Sequence, residues 1–135
     1  MKIQEGQVYE EEFSFSQEEV NQFAKVSGDD NPIHLDEDYA AATSFNKPIM
    51  HGFLAGSVFS RLIGTKFPGE GTVYLKQSMA FRRPMYVEVS YKAILTVTMA
   101  NANRHIAQIE TRIVGVEDGK AYLTGEAQVM NAEKI

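Results

Sequence analysis

The architecture of this chain follows from residues 52–66, which read GFLAGSVFSRLIGTK. At helical spacing the apolar side chains of this segment cover most of its circumference, and a helix that is apolar nearly all round belongs in a protein core. Its two interior glycines, Gly56 and Gly64, each cost about 1 kcal/mol relative to alanine in a helix. Close approach by other backbone is the expected reason for them. The segment therefore predicts a central helix wrapped by a sheet.

The residues after this helix alternate between apolar and polar with the period of two that indicates strands with one buried face. Four strands are predicted, over residues 73–81, 87–97, 104–116 and 121–129. A turn at residues 101–103 and a hairpin at Asp118-Gly119 connect the last three strands. Gly125 predicts a bulge in the last strand. In chain order the four strands indicate a meander.

One strand and two helices are predicted before the central helix. The strand covers residues 8–15, and Ser16 then opens a capping-box pattern for a helix that stops near Gly28. Negative charge over residues 36–38 suits the start of a second short helix. Helices that are segregated from strands, instead of alternating with them, indicate an α+β fold. We expect one antiparallel sheet of five strands around the central helix.

Composition and charge limit the function classes. The 135 residues suit a single domain covering residues 1–135, and a formal net charge of −5 argues against nucleic-acid binding. The absence of cysteine fits a reducing cytoplasm. The N-terminus lacks the apolar core of a signal peptide, and no stretch approaches the ~20 apolar residues of a membrane span. We expect a cytoplasmic protein without nucleic-acid or membrane partners.

The outer face of the predicted sheet would carry many aliphatic and aromatic side chains for so small a domain. Exposed apolar patches of this kind mark interaction surfaces. Pairing with a second copy of the chain would cover part of that surface. The sequence therefore predicts a homodimer.

The segment GDDNPIH, residues 28–34, carries the first candidate site. Pro32 stiffens it into an irregular loop between two helices, and Asn31 can hold that loop by side-chain-to-backbone bonds. His34 can give or take a proton near neutral pH, and a carboxylate such as Asp29 can orient a water beside it. The other interpretation is an ordinary turn in which His34 caps the helix that follows.

Gly52, in the first turn of the central helix, is the second candidate. Because glycine has no side chain, it leaves the N–H groups of the helix start free to bind a developing oxyanion. A glycine near a helix N-cap is also common without such a role. Ser57 and Ser60 lie farther along the helix and outside a Gly-x-Ser-x-Gly elbow, so neither is expected to be a nucleophile.

Two further patterns concern metals and phosphates. Acids and histidines cluster around Asp29, His34 and His51, and the run from Asp29 begins like a calcium-binding loop. The later glycine and glutamate of such a loop are missing, and no His-x-x-x-His pair occurs, so we expect no metal. Arg82 and Arg83 are either a phosphate-binding pair or a solvated strand end.

Four segments together resemble the MaoC-like (R)-specific enoyl-CoA hydratases: SGDDNPIHLD (27–36), PIMHGFL (48–54), GTVYL (71–75) and FRRP (81–84). The resemblance covers nearly the whole chain. It is greatest to the short, single-domain enzymes that supply (R)-3-hydroxyacyl-CoA for polyhydroxyalkanoate synthesis. It implies a hot-dog fold, a homodimer with acyl-CoA bound at or near the subunit interface, and no cofactor beyond the CoA of the substrate.

The resemblance also implies roles for individual residues. Asp29 and His34 fall on the family's catalytic pair, which activates a water for syn hydration of a trans-2-enoyl-CoA. Gly52 falls on the backbone N–H that binds the thioester oxygen, and Ser60 falls on a helix serine that supports the acid. One departure is Glu88, which stands where the family often has glycine after a Pro-x-x-Val segment.

Three other functions fit the same features. Dehydration of a 3-hydroxyacyl-ACP is the same chemistry in reverse on a different carrier. A hot-dog thioesterase would release free thiol from acyl-CoA, but Asp29 and His34 precede the central helix as they do in the hydratases. A non-catalytic acyl-CoA-binding module would bind its ligand without loss of the enoyl thioester absorbance.

Overall fold

The computed structural model describes residues 2–135, which form five antiparallel strands and four helices. The elements are β1 (Val8–Phe13), α1 (Gln17–Ser27), α2 (Pro32–Leu35), α3 (Glu37–Ala41), α4 (Gly52–Thr65), β2 (Val73–Phe81), β3 (Tyr91–Asn101), β4 (Ile106–Gly115) and β5 (Ala121–Met130). The strand order in the sheet is β1-β3-β4-β5-β2. The sheet shares one core with α4, so the predicted α+β class and hot-dog arrangement are confirmed.

The position of β2 differs from the predicted four-strand meander. Only β3, β4 and β5 follow one another as neighbours, whereas β2 pairs with β5 at one edge of the sheet and β1 pairs with β3 at the other. Side-chain alternation indicates which face of a strand is buried, but it does not indicate which strand lies beside it. The segment between β2 and β3 crosses the sheet instead of forming a hairpin, which leaves β2 at an edge.

One face of α4 packs on the sheet while the other face is open. The buried face supplies Leu54, Ala55, Val58, Phe59, Leu62 and Ile63 to the core. The opposite face presents Ser57, Ser60 and Arg61, and the side chain of Phe53 is 67% exposed. The sheet therefore wraps α4 on one side, and the other side of this helix is exposed in the single chain.

The close backbone approach predicted at the two helix glycines is also not found. A Cβ atom on Gly56 would lie 2.6 Å from the sulfur of Met79, which is the mobile end of a side chain. A Cβ atom on Gly64 would meet no atom within 4 Å. Neither glycine is required by neighbouring backbone from another element of residues 2–135.

Close backbone approach occurs instead at Gly125 in β5. A Cβ atom there would lie 1.8 Å from the carbonyl oxygen of Ser78 in β2, so only glycine fits. The predicted bulge at Gly125 is wrong, because the irregularity between these two strands falls between Tyr74 and Lys76. A glycine inside a strand indicates either a bulge or a close neighbour, and here the neighbour explains it.

The start of β3 also differs from the prediction. The alternating pattern placed Val87 in this strand, but the strand begins at Tyr91. Glu88 has a positive φ of 58°, and its N–H donates to the carbonyl of Phe15 at 2.8 Å. Extended backbone cannot pass through a left-handed residue, so the alternation before Tyr91 belongs to the crossing segment.

The N-terminal helices begin and end largely as predicted. Ser16 and Glu19 form both bonds of the capping box, and Gly28 ends α1 with φ 79°. The loop predicted after Gly28 contains a further helical turn, α2, which Asn31 caps. Asp36 caps α3, so the interpretation of His34 as that cap is wrong.

Part of the exposed apolar surface lies on the outer face of the sheet, where Val8 in β1 and Met130 in β5 are 51% and 38% exposed. On β4 that face carries Gln108, Glu110 and Arg112. Leu75 and Phe81 on the edge strand β2 are instead 42% and 52% exposed. The apolar surface that the sequence placed on the sheet face is thus divided among that face, the edge strand β2 and α4. No helix within residues 2–135 is long and apolar enough to cross a membrane.

Candidate active site

Asp29 lies in the turn between α1 and α2. Its N–H donates to Ser27 Oγ at 3.1 Å, and the N–H of Asn31 donates to Asp29 Oδ1 at 3.4 Å. The side chain of Asn31 in turn accepts the N–H of Ile33 at 3.2 Å. Asn31 thus holds the turn through a side-chain-to-backbone bond, as the sequence predicted, and the Asp29 side chain stays exposed.

His34 lies on α2, and its ring is tied to the segment that precedes α4. Its Nδ1 atom is 2.8 Å from the carbonyl oxygen of Ile49. Because a carbonyl only accepts, Nδ1 carries the hydrogen, and the neutral ring has its lone pair on Nε2. The Ile49 N–H donates to the Ile33 carbonyl at 3.1 Å, and Gln17 Nε2 donates to the His34 carbonyl at 3.0 Å.

The environment of His34 favours its neutral form. Burial lowers the pKa of His34 from its ordinary value of 6.5, since desolvation disfavours the imidazolium. The carbonyl of Ile49 raises the pKa, His51 lowers it, and the charge of Asp29 raises it, with a net shift downward. At neutral pH the Nε2 atom of His34 can therefore accept a proton.

His51 joins Asp29 and His34 in a cluster of three titratable groups. One carboxylate oxygen and one nitrogen from each ring all lie within 4.8 Å of one another. The rings of His34 and His51 stack with centroids 3.9 Å apart and planes at 27°. The cluster thus brings one carboxylate and two imidazole rings together beside the start of α4.

The first N–H groups of α4 lie beside this cluster. The carbonyl of His51 accepts the first intrahelical hydrogen bonds, from the N–H groups of Leu54 and Ala55 at 3.1 and 3.2 Å. The N–H groups of Gly52 and Phe53 come earlier in the helix and have no intrahelical acceptor. A Cβ atom on Gly52 would lie 2.5 Å from the ring of Phe81, so any larger residue here would require that half-exposed ring to move. Free N–H groups at a helix start favour negative charge on an oxygen bound to them.

A cavity of about 410 Å³ opens at the same place. Its lining combines aromatic and aliphatic side chains with a few polar groups, a composition typical of small-molecule sites. The lining residues are His34, Phe45, Ile49, Met50, His51, Gly52, Phe53, Phe81, Arg82, Arg83, Pro84, Met85 and Tyr122. The predicted residues His34, Gly52, Arg82 and Arg83 thus meet at one cavity, and Asp29 adjoins it through the histidine cluster.

Arg82 and Arg83 reach the cavity from the end of β2. Their N–H groups donate to the Tyr122 carbonyl at 2.8 and 3.4 Å. Arg82 Nε also donates to Thr124 Oγ1 at 3.0 Å. Both arginines remain exposed, so two positive charges lie at the cavity in contact with solvent.

Ser60 is the predicted residue that is not brought to the cluster. It lies on the exposed face of α4, eight residues after Gly52, which is about 12 Å along a helix axis. It is also absent from the cavity lining.

Sequence reasoning missed three contributors to the site. His51 was considered only as a metal ligand, although its place directly before Gly52 could have indicated a role at the helix start. Phe81 and Tyr122 come from strands far along the chain, and no local pattern places them beside Gly52.

The chain is similar in sequence and fold to known proteins. A family model described as MaoC like domain matches residues 1–119. The chain is 44% identical over 115 residues to an (R)-specific enoyl-CoA hydratase of Aeromonas caviae, covering 85% of each. It is 33% identical over 124 residues to a mitochondrial 3-hydroxyacyl-[acyl-carrier-protein] dehydratase of Arabidopsis thaliana, covering 90% of this chain and 74% of that one. The solved structure of an (R)-hydratase from A. caviae involved in PHA biosynthesis matches with a TM-score of 0.91 and 40% identity, covering 96% of this chain and 97% of that one.

Proposed function

This chain is a member of the MaoC-like domain family, and we propose that it is an (R)-specific enoyl-CoA hydratase. The reaction is the reversible addition of water to a trans-2-enoyl-CoA, which gives an (R)-3-hydroxyacyl-CoA. One observation carries the proposal: the unprotonated Nε2 of His34 and the free N–H of Gly52 meet at one cavity, and the Asp29 carboxylate adjoins it within the histidine cluster.

His34 is the general base of the proposed mechanism. The bond from its Nδ1–H to Ile49 leaves Nε2 as the acceptor, and burial keeps the ring neutral. Nε2 takes one proton from the attacking water. The Asp29 carboxylate accepts a hydrogen bond from the other O–H of this water and thereby orients the water oxygen toward C3. A positioned acid–base group of this kind typically contributes 10²–10⁴-fold in rate.

The start of α4 stabilises the charge that attack at C3 produces. Electrons move from the double bond toward the thioester carbonyl, whose oxygen becomes enolate-like. The Gly52 N–H donates to that oxygen, and the helix dipole adds to the favourable field. The helix start thus interacts more strongly with the transition state than with the substrate.

The proton balance closes on the water itself. The hydroxyl group adds to C3, and the proton held by His34 passes to C2, which returns both residues to their starting states. Both additions come from the side of the Asp29–His34 pair, so they are syn. No metal or redox cofactor takes part in these steps.

Arg82 and Arg83 support CoA as the carrier. The two guanidinium groups lie at the cavity and can bind the phosphates of CoA by charge-assisted hydrogen bonds. The apolar lining from Phe45, Phe53 and Met85 then surrounds the acyl part. Supply of (R)-3-hydroxyacyl-CoA for PHA synthesis fits this chemistry and the similarity to the A. caviae protein.

A homodimer is the proposed assembly. The edge strand β2 has an unpaired side and exposes Leu75 and Phe81, while the open face of α4 exposes Phe53. A second copy would cover this apolar surface, and the subunit interface would then lie beside the cavity. The exposed hydroxyl of Ser60 on the same face would then be available to support the acid of the partner copy.

Dehydration of a 3-hydroxyacyl-ACP is the second candidate function. The similarity to the plant mitochondrial dehydratase favours it, and the same residues would run the reaction in reverse. The carrier separates the two functions, because ACP has only one phosphate on its pantetheine arm and presents a protein surface to the cavity.

The test is a hydration assay with crotonyl-CoA and longer enoyl-CoA thioesters. We expect loss of the enoyl thioester absorbance and formation of the (R)-3-hydroxy product, with a higher kcat/KM on CoA than on matched ACP thioesters. A faster reaction on ACP would favour the second function. Ligand binding without turnover on either carrier would contradict both.

A further inference from the structure

His51 is buried in the site but has no step in the proposed chemistry. Its side chain is 2% exposed. It is the N-cap residue of α4, yet its ring makes no capping bond to the helix. Serine, threonine, aspartate or asparagine would satisfy a helix start better. The imidazole at this position is therefore not explained by the helix that it precedes.

The hydrogen bonding of His51 shows what the ring supplies. Its Nε2 atom lies 2.9 Å from the backbone carbonyl oxygen of Asp29, so Nε2 carries the hydrogen and donates it. The Nδ1 atom of the neutral ring is then an acceptor, and within residues 2–135 it is buried without a partner. A buried unsatisfied acceptor is unfavourable, and an apolar ring of similar size would avoid it. The bond to Asp29 is thus the contribution that an apolar ring could not make.

That bond completes the fixation of the Asp29 peptide. Its N–H donates to Ser27 Oγ at 3.1 Å on one side, and its carbonyl accepts from His51 on the other. The contact joins the turn after α1 to the start of α4, across 22 residues of sequence. It therefore sets the distance between the acid and the helix start that carries Gly52.

The same ring also supports the base. His51 stacks on His34 with centroids 3.9 Å apart, while the ring of Phe23 contacts His51 edge-on at 4.9 Å. His34 is thereby held by stacking on one face and by the bond from Nδ1 to Ile49 in its plane. One residue contacts both members of the catalytic pair, each through a different part of its ring.

We propose that His51 is the positioning residue of the site, which holds the Asp29 backbone through Nε2–H and the His34 ring through stacking so that both face one water. This inference rests on the proposed hydratase function. His51 acts through the other two residues, so its loss should slow turnover more than it weakens substrate binding. A displacement of reacting groups by about 1 Å can cost 10²-fold in rate.

The experiment compares substitutions that keep or remove the donor. His51→Phe keeps a stacking ring without an N–H, and His51→Met is the alternative without a donor should the phenyl ring not be accommodated. His51→Gln restores an N–H near the position of Nε2 and is close to methionine in shape. His105→Phe is the control, because His105 also bonds a backbone carbonyl, that of Ile135 at 2.8 Å, but lies outside the cavity lining.

Steady-state kinetics on crotonyl-CoA and thermal melting are measured for each folded variant. We expect His51→Phe and His51→Met to lower kcat by about 10²-fold with little change in KM. His51→Gln should recover at least part of that loss, and His105→Phe should retain wild-type kcat. A variant without the donor that keeps the wild-type kcat would overturn the proposal. So would His51→Gln and His51→Met variants whose kcat falls equally and in proportion to their loss in melting temperature. An inactive wild-type protein would instead refute the hydratase function itself.

Discussion

The Nδ1 atom of His34 donates to the carbonyl oxygen of Ile49 at 2.8 Å, and this bond fixes which nitrogen of the ring can act as a base. Ile49 lies fifteen residues later, at the approach to α4. The bond therefore sets the tautomer of His34 and its position relative to the helix start together. It links the protonation state of the proposed base to the fold of the segment before the proposed oxyanion site.

The rate should depend on pH through His34. Burial lowers the pKa of His34 below 6.5, and the base must be unprotonated. Activity is therefore present above the lowered pKa and is lost as the pH falls through it. We expect the acid limb of kcat/KM for crotonyl-CoA to have its midpoint below pH 6.5. A midpoint above that value, or an unchanged limb in a folded His34→Gln variant with residual activity, would contradict the assignment.

Substitution of Asp29 should separate it from its neighbour Asp30. Asp29→Ala removes the carboxylate that we propose to orient the water, and we expect a loss of about 10²–10⁴-fold in kcat/KM. Asp30→Ala is the matched control, since Asp30 is an exposed acid in the same turn and is not part of the histidine cluster. Both variants should melt close to the wild type. Comparable losses in the two variants would argue that the turn, and not the Asp29 carboxylate, is what matters.

Substitution of the two arginines at the cavity should raise KM only for substrates that carry CoA. Arg82→Gln with Arg83→Gln is expected to raise KM for crotonyl-CoA by at least roughly 10-fold, because a single charge-assisted hydrogen bond to phosphate contributes about 1.5–3 kcal/mol. The N-acetylcysteamine thioester lacks the phosphates and should react as with the wild type. Arg104→Gln, in the exposed turn between β3 and β4, serves as the control. Equal effects on both substrates would exclude phosphate recognition by this pair.

A charge on the edge strand should disrupt the proposed homodimer. Leu75 on β2 is 42% exposed in the single chain, and Leu75→Glu would place a carboxylate in the proposed interface. We expect a shift from dimer to monomer in sedimentation velocity. Val26→Glu is the control, because Val26 is 87% exposed and lies on α1, outside the proposed interface formed by β2 and α4. A wild-type monomer, or a dimer unaffected by Leu75→Glu, would count against this interface.

Two glycine substitutions should change stability in opposite directions. At Gly125 a new Cβ would collide with the backbone of Ser78, so Gly125→Ala should lower the free energy of unfolding by at least about 1–3 kcal/mol. At Gly64 a Cβ would meet nothing within 4 Å, and alanine favours the helix by about 1 kcal/mol. Urea unfolding of both variants measures the difference. Equal destabilisation by the two would show that the packing around them is not as described.

The fold class followed from the sequence because local patterns carry it. The apolar stretch from residue 52, the capping box at Ser16 and the alternation in the later strands each reflect interactions within a few residues. Strand neighbours did not follow, because the period of two is the same whichever strand lies alongside. The place of β2 beside β5 and the close contact at Gly125 depend on that choice.

The sequence by itself determined the residue types of the site. The segment from Asp29 to His34 and the glycine that opens α4 supply an acid, a base and free N–H groups, and these are read from local spacing. Only the tertiary structure decided how they are used. The tautomer of His34 depends on Ile49, the Asp29 peptide depends on His51, and the cavity wall depends on Phe81 from a distant strand. These contacts join parts of the chain that only packing brings together, so no local pattern contains them.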